Sequence, residues 1–487
     1  MLLRLKVTGF KNLHNVDVAF GPFTCIAGPN AAGKSNLFDA ITFLSSLAEK
    51  PLLDAALSVR SKDNPGGDLK RLFLRIGQGR MTEIKFDVEM LVPPTAIDEL
   101  GQEASATSTF LRYQLVLGYR EDSERGPRLE IRREVLQHIM QSQFPTHIGF
   151  PYSSDWKKSV LLGRRGAPFI STDGRGEDAQ IGIHQDGGTS GRKRLVVAER
   201  LPRTVLSTAN AAETPTALAA RREMQSWKLL QLEPSALRSP DNFTSPDRID
   251  ERGHHLPATL ARLANMRPRR RPSTKVNESV FAQVANRLSE LADEVRSISV
   301  NADRRRELLS LVMTDHQGTE HEARSLSDGT LRFLALAVLA EDPEFQGVLC
   351  LEEPENGIHP ERIPSMLRLL SDLAVDPLHA VTADNPLRQV IVNTHSPSVV
   401  SGVFDQDLVF VRREHRRISG KDAVLPTLRW LSHTWRSSER PDNTIAPGDL
   451  ASYFNPVGVT LMLTHSPTKR RVASRQDVQQ LLFPLNK

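Results

Sequence analysis

The segment GPNAAGKSN, residues 28–36, follows the apolar run FTCIA directly and leads into an apolar helical run that begins at Leu37. This order predicts a strand, a loop and a helix. Gly28 and Gly33 permit a backbone path in which successive N–H groups point inward, as in loops that cradle phosphate groups at a helix N-terminus. The alternative is a glycine-rich turn that has this spacing by chance.

Residue types in the loop suit nucleotide phosphates and a metal ion. Lys34 would reach the terminal phosphates, and the Ser35 hydroxyl would ligate Mg²⁺. The residues assigned to nucleotide binding here are Gly28, Pro29, Asn30, Ala31, Ala32, Gly33, Lys34, Ser35 and Asn36. The cofactors predicted from this pattern are therefore ATP and Mg²⁺.

A second apolar run, GVLCLEEPENG at 347–357, ends in two acids. Nucleotide hydrolysis needs carboxylates where a buried strand emerges beside the phosphates. Glu352 would hold Mg²⁺ through water, and Glu353 would be the catalytic base that polarises the attacking water. Most such strands end in Asp then Glu, so Glu352 is a departure from the usual pattern. The alternative for paired acids after a strand is a solvated edge.

Two further elements flank this acid strand. In SLSDGTLRFLALAVLA, residues 325–340, a Ser-Asp-Gly turn at Ser327 opens a predicted helix and offers a second anion site at a helix start. Alone, this segment would be an ordinary capped core helix. Downstream, VIVNTHSPSVV at 390–400 predicts a strand that ends in His395. That histidine is either structural or a sensor of the terminal phosphate, which makes it a second catalytic candidate.

With these elements in order, the chain resembles the ATP-binding-cassette (ABC) ATPases, and among them the group of SMC, RecF and OLD proteins with their bacterial AAA-type relatives. The resemblance rests on LRLKVTGFKNL before the phosphate loop and on LSDGTLR, EEPENGIHP and THSP after it. It covers about residues 1–50 and 320–405. Transport cassettes usually have a signature closer to Ser-Gly-Gly-Gln.

The resemblance implies a dimer that closes on ATP. Ser327, Asp328 and Gly329 would contact the γ-phosphate of ATP bound to the other subunit, so that two ATP molecules lie between two copies. Asn356 and Gly357 would lie in the loop that crosses the dimer seam. A homodimer or a higher even-numbered oligomer is the expected assembly.

The 487 residues, 39% hydrophobic and 25% charged, are more than one compact core usually needs. The predicted fold class is α/β: an ABC-type ATPase core, with a mixed sheet flanked by helices and an antiparallel β subdomain, plus an inserted mainly helical domain. The expected divisions are an N-terminal lobe at 1–140, a loop-rich and helical insertion at 141–320, a C-terminal lobe at 321–411, and a cap or partner surface at 412–487.

Composition limits the setting. No apolar run approaches the roughly 20 residues of a membrane span, and no signal-like segment precedes residue 30, so a cytoplasmic protein without a membrane partner is expected. Cys25 and Cys350 are too few for a disulfide framework or a zinc ribbon. The net charge is only +5, but arginines cluster at 267–272, 304–306 and 469–471. These clusters suit double-stranded DNA or a partner protein; the alternative is solvated basic loops.

The C-terminal part contains one motif that two-metal nucleases use. A two-metal nuclease needs a Glu and an Asp-x-Asp pair, and the single Asp-x-Asp there is DQD at 405–407, without a supporting Glu pattern. His254 and His255 are interpreted as a polar face rather than a ligand set.

Three functions from different classes follow. The first is an ATP-driven switch in phage defence or repair that controls a separate effector, such as a nuclease encoded nearby. The second is a self-contained OLD-like nuclease with an unrecognised C-terminal site. The third is the ATPase subunit of a transporter, which the signature and the large middle region disfavour.

Overall fold

A computed structural model gives the fold. It describes residues 1–59, 68–122, 126–163, 167–174, 176–186, 193–266, 279–292, 294–418 and 420–454, and every structural statement below concerns these residues.

Strands and helices alternate irregularly along the chain. The strands are β1 (Leu2–Thr8), β2 (Val16–Ala19), β3 (Phe23–Ala27), β4 (Arg75–Ile76), β5 (Gly79–Arg80), β6 (Glu83–Leu91), β7 (Thr95–Ile97), β8 (Glu103–Ser105), β9 (Phe110–Asp122), β10 (Gly126–His138), β11 (Ile170–Asp173), β12 (Gln180–Ile183), β13 (Arg194–Val197), β14 (Lys228–Leu230), β15 (Asp241–Asn242), β16 (Val295–Asp303), β17 (Leu308–Asp315), β18 (Glu320–Glu322), β19 (Gly347–Glu352), β20 (Arg388–Thr394), β21 (Leu408–Ile418) and β22 (Lys421–Arg429). The helices are α1 (Lys34–Leu47), α2 (Leu52–Ser58), α3 (Phe144–His147), α4 (Ser154–Val160), α5 (Pro215–Gln225), α6 (Pro234–Leu237), α7 (Leu256–Asn265), α8 (Val280–Ser289), α9 (Asp328–Glu341), α10 (Ile363–Leu373), α11 (Pro397–Gly402), α12 (Trp435–Glu439) and α13 (Pro447–Phe454).

The central sheet has six strands in the order β14-β19-β20-β3-β21-β22. All neighbours pair in parallel except β21 and β22. Strands β3 and β20 are buried along their whole length, which explains the nearly continuous apolar run FTCIA of β3 and the apolar centre VIV of β20. Because parallel strands share one direction, β3, β19 and β20 all end at the same edge of the sheet.

An antiparallel sheet of eight strands, in the order β13-β12-β11-β10-β9-β6-β1-β2, forms the second layer. One apolar core, which includes Phe10, Phe43 and Phe86, lies between this sheet, α1 and one face of the central sheet. A second core, which includes Leu334 and Leu370, covers the other face with α7 to α11. The mixed sheet with flanking helices and an antiparallel β subdomain is the predicted α/β, ABC-type ATPase core.

The middle of the chain is less separate than the predicted insertion at 141–320. Strands β11 to β13 extend the antiparallel sheet, and β14 adds an edge strand to the central sheet beside β19. Helix α8 ends at Ser289 and strand β16 begins at Val295, and Val295 and Ile298 lie in the second core. Residues 141–320 therefore contribute to both layers rather than forming a helical body of their own.

The predicted boundary at 411 falls inside a strand of the central sheet. Strand β21 runs through it to Ile418, and β22 pairs along the whole of β21. Residues 412–429 therefore belong to the central sheet rather than to a cap. Of the described residues, no helix is both long enough and apolar enough to cross a bilayer.

Candidate functional site

The phosphate loop joins β3 to α1 in the predicted order. Gly28, Ala31 and Gly33 have φ values of +151°, +60° and +105°, so the loop turns through left-handed conformations three times. A Cβ atom on Gly28 would lie 2.4 Å from the Val411 carbonyl oxygen. Glycine is therefore required at residue 28 both for its conformation and for the close approach of β21.

Lys34 begins α1 and folds back over the loop. Its Nζ donates to the carbonyl oxygens of Gly28 at 2.7 Å and Pro29 at 3.0 Å, and the residue is only 7% exposed. Burial lowers the pKa of Lys34, while the charges of Glu353, Glu355 and Glu352 oppose that shift. The ammonium group thus lies in the negative field of the acid strand.

Glu352 is the last residue of β19. Its Oε1 accepts from Asn393 Nδ2 at 3.1 Å, and its Oε2 accepts from Gln231 Nε2 at 3.2 Å. Two amides from neighbouring segments therefore fix the direction of this carboxylate. Oriented carboxylate and hydroxyl oxygens are the ligand type that Mg²⁺ prefers, and Ser35 lines the same cavity.

Glu353 follows in a left-handed conformation, with φ of +47°. Its backbone N–H donates to the Asn393 carbonyl oxygen at 2.9 Å. Its Oε1 lies 2.6 Å from Nδ1 of His395, and its Oε2 accepts from Asn356 Nδ2 at 3.0 Å. The two residues predicted as catalytic, Glu353 and His395, are therefore in direct contact.

A cavity of about 570 Å³ brings the loop and the acids together. This volume is within the usual range for small-molecule sites. The lining residues are Asn12, Asn30, Ala31, Ala32, Gly33, Lys34, Ser35, Asn36, Glu352, Glu353, Asn356 and Asn393. Loop amides, one lysine, one hydroxyl and two carboxylates in one cavity fit a nucleotide triphosphate with its magnesium ion.

The predicted signature residues lie elsewhere. Ser327 caps α9, and its Oγ accepts from the Thr330 N–H at 3.1 Å. Asp328, with its side chain 51% exposed, is paired with Arg238, and neither it nor Ser327 lines the cavity. Gly329 packs against the backbone of Gly357. Within one chain, the N-terminus of α9 is therefore exposed and separate from the phosphate loop.

Two family models match the segments that build this geometry. Residues 213–401 match a model described as "AAA domain, putative AbiEii toxin, Type IV TA system", and residues 4–54 match one described as "AAA domain". The two segments contain the phosphate loop, the start of α9, the acid strand and His395. Over these two segments the chain is similar to AAA-type domains.

Short segments of the chain match curated proteins. Over 45 residues the chain is 56% identical to structural maintenance of chromosomes protein 1 of Schizosaccharomyces pombe, which is 9% of this chain and 4% of that protein. Over 41 residues it is 49% identical to the OLD nuclease of Thermus scotoductus, which is 8% of each. The matched segments thus span less than a tenth of either relative.

Solved structures similar to the chain include SMC heads. One is the SmcHead bound to the C-winged helix domain of ScpA, at 13% identity and a TM-score of 0.44, with coverage of 87% of this chain and 97% of that one. Another is the SMC head domain from Thermotoga maritima, at 13% identity and a TM-score of 0.35, with coverage of 87% and 98%.

Three polar residues of the candidate site were not predicted from the sequence. Asn393 donates to the Glu352 carboxylate and accepts from the Glu353 backbone N–H. Gln231 also donates to the Glu352 carboxylate, and Asn12 Oδ1 accepts from Asn36 Nδ2 at 2.8 Å. Asn393 had a signal, because it is a polar residue near the end of an apolar strand. Gln231 had none, because it reaches the site only through the pairing of β14 with β19.

The other predicted features do not assemble a second centre in the described part of the chain. His254 and His255 bond to Asp250 and Asp241 at 2.9 and 3.0 Å. DQD at 405–407 forms a short 3₁₀ helix, and no group of three or more candidate ligands is found among the described residues. Of the basic clusters, 304–306 lies in an exposed turn, while 267–272 and 469–471 lie outside the described residues.

Proposed function

We propose that the chain binds ATP with Mg²⁺ and hydrolyses it to ADP and phosphate. The observation that carries the proposal is the cavity in which the phosphate loop faces Glu352 and Glu353. Loop N–H groups and Lys34 would bind the phosphates, and Ser35 with Glu352 would hold the metal. Bound Mg²⁺ supplies positive charge that offsets the charge developing on the phosphate oxygens.

Glu353 is the proposed base. Its carboxylate accepts the proton of the attacking water while the water oxygen bonds to the terminal phosphorus and the bond to the ADP oxygen breaks. Asn356 and His395 hold the two oxygens of that carboxylate and restrict its direction. His395, 43% exposed at the side chain, would also sense the terminal phosphate.

A dimer completes the proposed site. The exposed N-terminus of α9 offers Ser327, Asp328 and the N–H groups of its first turn to a phosphate that its own chain does not bring near it. A second copy, placed with its α9 facing this cavity, would supply these groups. We therefore propose an ATP-dependent homodimer, or a higher even-numbered oligomer, around two ATP molecules.

The dimer is proposed to act as a switch in a DNA-related process such as phage defence or repair. The names of the relatives, a chromosome-maintenance protein and a nuclease, support that setting. The effector would be a separate protein encoded nearby, and double-stranded DNA is the proposed trigger.

Steady-state ATP hydrolysis by the wild-type chain and by Glu353→Gln, with and without double-stranded DNA, tests the proposal. Mass by light scattering is measured on the same samples. We expect hydrolysis to fall about 10²–10⁴-fold in the variant, while ATP binding survives and the dimer accumulates. Glu361→Gln is the control, because the Glu361 side chain is 85% exposed.

Each part of the proposal has its own contrary result. Hydrolysis that survives in Glu353→Gln would remove the assignment of the base. A monomer at saturating ATP would remove the dimer. Hydrolysis that does not respond to DNA would remove DNA as the trigger.

A further inference from the structure

Two side-chain contacts join the loop after β19 to the turn after β20. In the first, Glu353 Oε1 meets His395 Nδ1 at 2.6 Å. In the second, the Thr394 hydroxyl donates to Glu355 Oε1. The two acids alternate along the loop and their partners are adjacent in the turn, so the contacts lie side by side.

The second contact is the buried one. Glu355 is 7% exposed and Thr394 is 0% exposed, whereas the Glu353 and His395 side chains are 33% and 43% exposed. Burial raises the pKa of the Glu355 carboxyl, and the bond from Thr394 opposes this shift. The loss of a hydrogen bond in a buried place leaves a polar group without a partner and therefore costs more than the loss of one at the surface.

The Thr394 hydroxyl also orders the turn itself. Its oxygen accepts from the Ser396 backbone N–H at 2.9 Å. The hydroxyl proton is thereby directed to Glu355, and His395 is held between two anchored residues. The position of the His395 ring therefore depends on the Glu355 carboxylate.

The strained backbone of Glu353 needs support from the contact between Thr394 and Glu355. A left-handed conformation is unfavourable for a residue other than glycine and persists only where the surroundings hold it. On one side, the Glu353 N–H bonds to the Asn393 carbonyl oxygen. On the other side, the loop is held two residues later by the buried carboxyl of Glu355.

We propose that Glu355 is a positioning residue: through Thr394 it fixes the turn that carries His395, and so holds the Glu353 carboxylate in the direction that hydrolysis requires. This inference rests on the proposed function, in which Glu353 is the base. Glu355 is outside the cavity lining, so it acts through its neighbours.

Paired substitutions with kcat and KM measured separately test the inference. We expect Glu355→Ala and Thr394→Val each to lower kcat about 10–100-fold with KM changed less than about 2-fold. The double variant should lose no more than either single variant, because both break one contact. Glu355→Gln and Thr394→Ser keep that contact and should restore most of kcat. Glu361→Ala is the exposed acidic control.

Three outcomes of these measurements would contradict the positioning role of Glu355. Losses that multiply in the double variant would overturn the inference. So would a lower unfolding temperature with unchanged kcat, or a failure of both conservative variants to restore kcat.

Nuclear magnetic resonance of the His395 ring nitrogens, assigned with His395→Gln, gives a readout that needs no hydrolysis. In the nucleotide-free protein, Glu355→Ala should displace these signals in the direction that Glu353→Gln displaces them. Unchanged signals would overturn the positioning role. A wild-type chain that does not hydrolyse ATP would overturn the proposed function, and the ring signals would still decide whether Glu355 holds the contact.

Discussion

Gly329 and Gly357 meet backbone to backbone. A Cβ atom on Gly329 would lie 2.3 Å from the Gly357 carbonyl oxygen, and Gly357 itself has φ of +82°. Arg332, one turn further along α9, donates to the Asn356 carbonyl oxygen and to that of Leu232 at 3.2 Å. The start of α9 and the loop that carries Glu353 are therefore one packed unit.

Gly329→Ala should separate the two halves of this unit. The added methyl group forces the backbones apart, at a cost of about 1–3 kcal/mol in the free energy of unfolding. We expect reduced ATP hydrolysis with ATP affinity retained, because the phosphate loop is not touched. Urea unfolding and a nucleotide-binding titration measure the two effects. Gly318→Ala, in an open turn with left-handed φ, is the control for backbone strain alone, and equal losses in hydrolysis would contradict the prediction.

Lys34→Ala should abolish ATP binding. Among the described residues that line the cavity, Lys34 is the single lysine or arginine. Its loss would leave the phosphates facing the carboxylates of Glu352 and Glu353. A direct binding titration should show at least about a 100-fold weaker affinity, which corresponds to about 2.7 kcal/mol. Lys50→Ala, at the exposed end of the same helix region, should bind as wild type. Retained affinity in Lys34→Ala would remove the nucleotide assignment of the loop.

Asn393→Ala should change the dependence on magnesium. Asn393 Nδ2 donates to the Glu352 carboxylate and its Oδ1 accepts from the Glu353 backbone N–H, so its loss removes one of the two amides that orient the Glu352 carboxylate and one bond to the Glu353 backbone. Residues that orient metal ligands commonly contribute about 10–100-fold to metal affinity or activity. We therefore expect kcat to fall, and the Mg²⁺ concentration that gives half-maximal hydrolysis to rise, by about that factor. Asn385→Ala removes an amide that holds the loop 376–385, and should leave the magnesium titration unchanged. Equal magnesium curves for Asn393→Ala and wild type would refute the role.

Glu134 should make stability depend on pH. Burial raises its pKa from 4.5 to about 7, although Val205 and Leu206 N–H groups and the Tyr113 hydroxyl bond to it. A carboxyl whose pKa is higher in the folded protein than in the unfolded chain stabilises the fold fully at pH values below the unfolded pKa. This contribution to the free energy of unfolding is lost as the pH rises toward 7.

Urea unfolding of wild type and Glu134→Gln between pH 5 and 8 measures this effect. Relative to the variant, wild type should lose stability across this range, by at most about 3 kcal/mol. Glu121→Gln, at a side chain 66% exposed, should show no such trend. A difference between wild type and Glu134→Gln that stays constant with pH would show that Glu134 does not titrate in the window.

Local patterns were sufficient to predict much of the site. The apolar run before Gly28 and the apolar run before Glu352 do form buried strands, and their parallel pairing with β20 places both at one edge of the sheet. The contact between Glu353 and His395 follows from that edge. The mixed sheet was expected from the resemblance to the ABC-type ATPases, whereas alternating apolar residues did indicate half-buried strands of the antiparallel layer.

The pairing of strands distant in the sequence could not be predicted from local patterns. Residues 228–230 lie just after a helix and have no strand signal of their own, yet they pair with β19 and bring Gln231 to Glu352. The left-handed backbone of Glu353 gave no sequence signal either, since the residue is neither glycine nor asparagine. Both features depend on neighbours more than 30 residues away in the chain.

The place of β3 in the central sheet has a consequence for the synthesis of the chain. The strand is made early, but its two neighbours, β20 and β21, begin at Arg388 and Leu408. While translation proceeds at about 5–20 residues per second, this mostly apolar strand has both edges unpaired and is prone to join another chain. Products that end before Leu408 retain an open edge on β3, so we expect a late truncation to yield an aggregation-prone fragment.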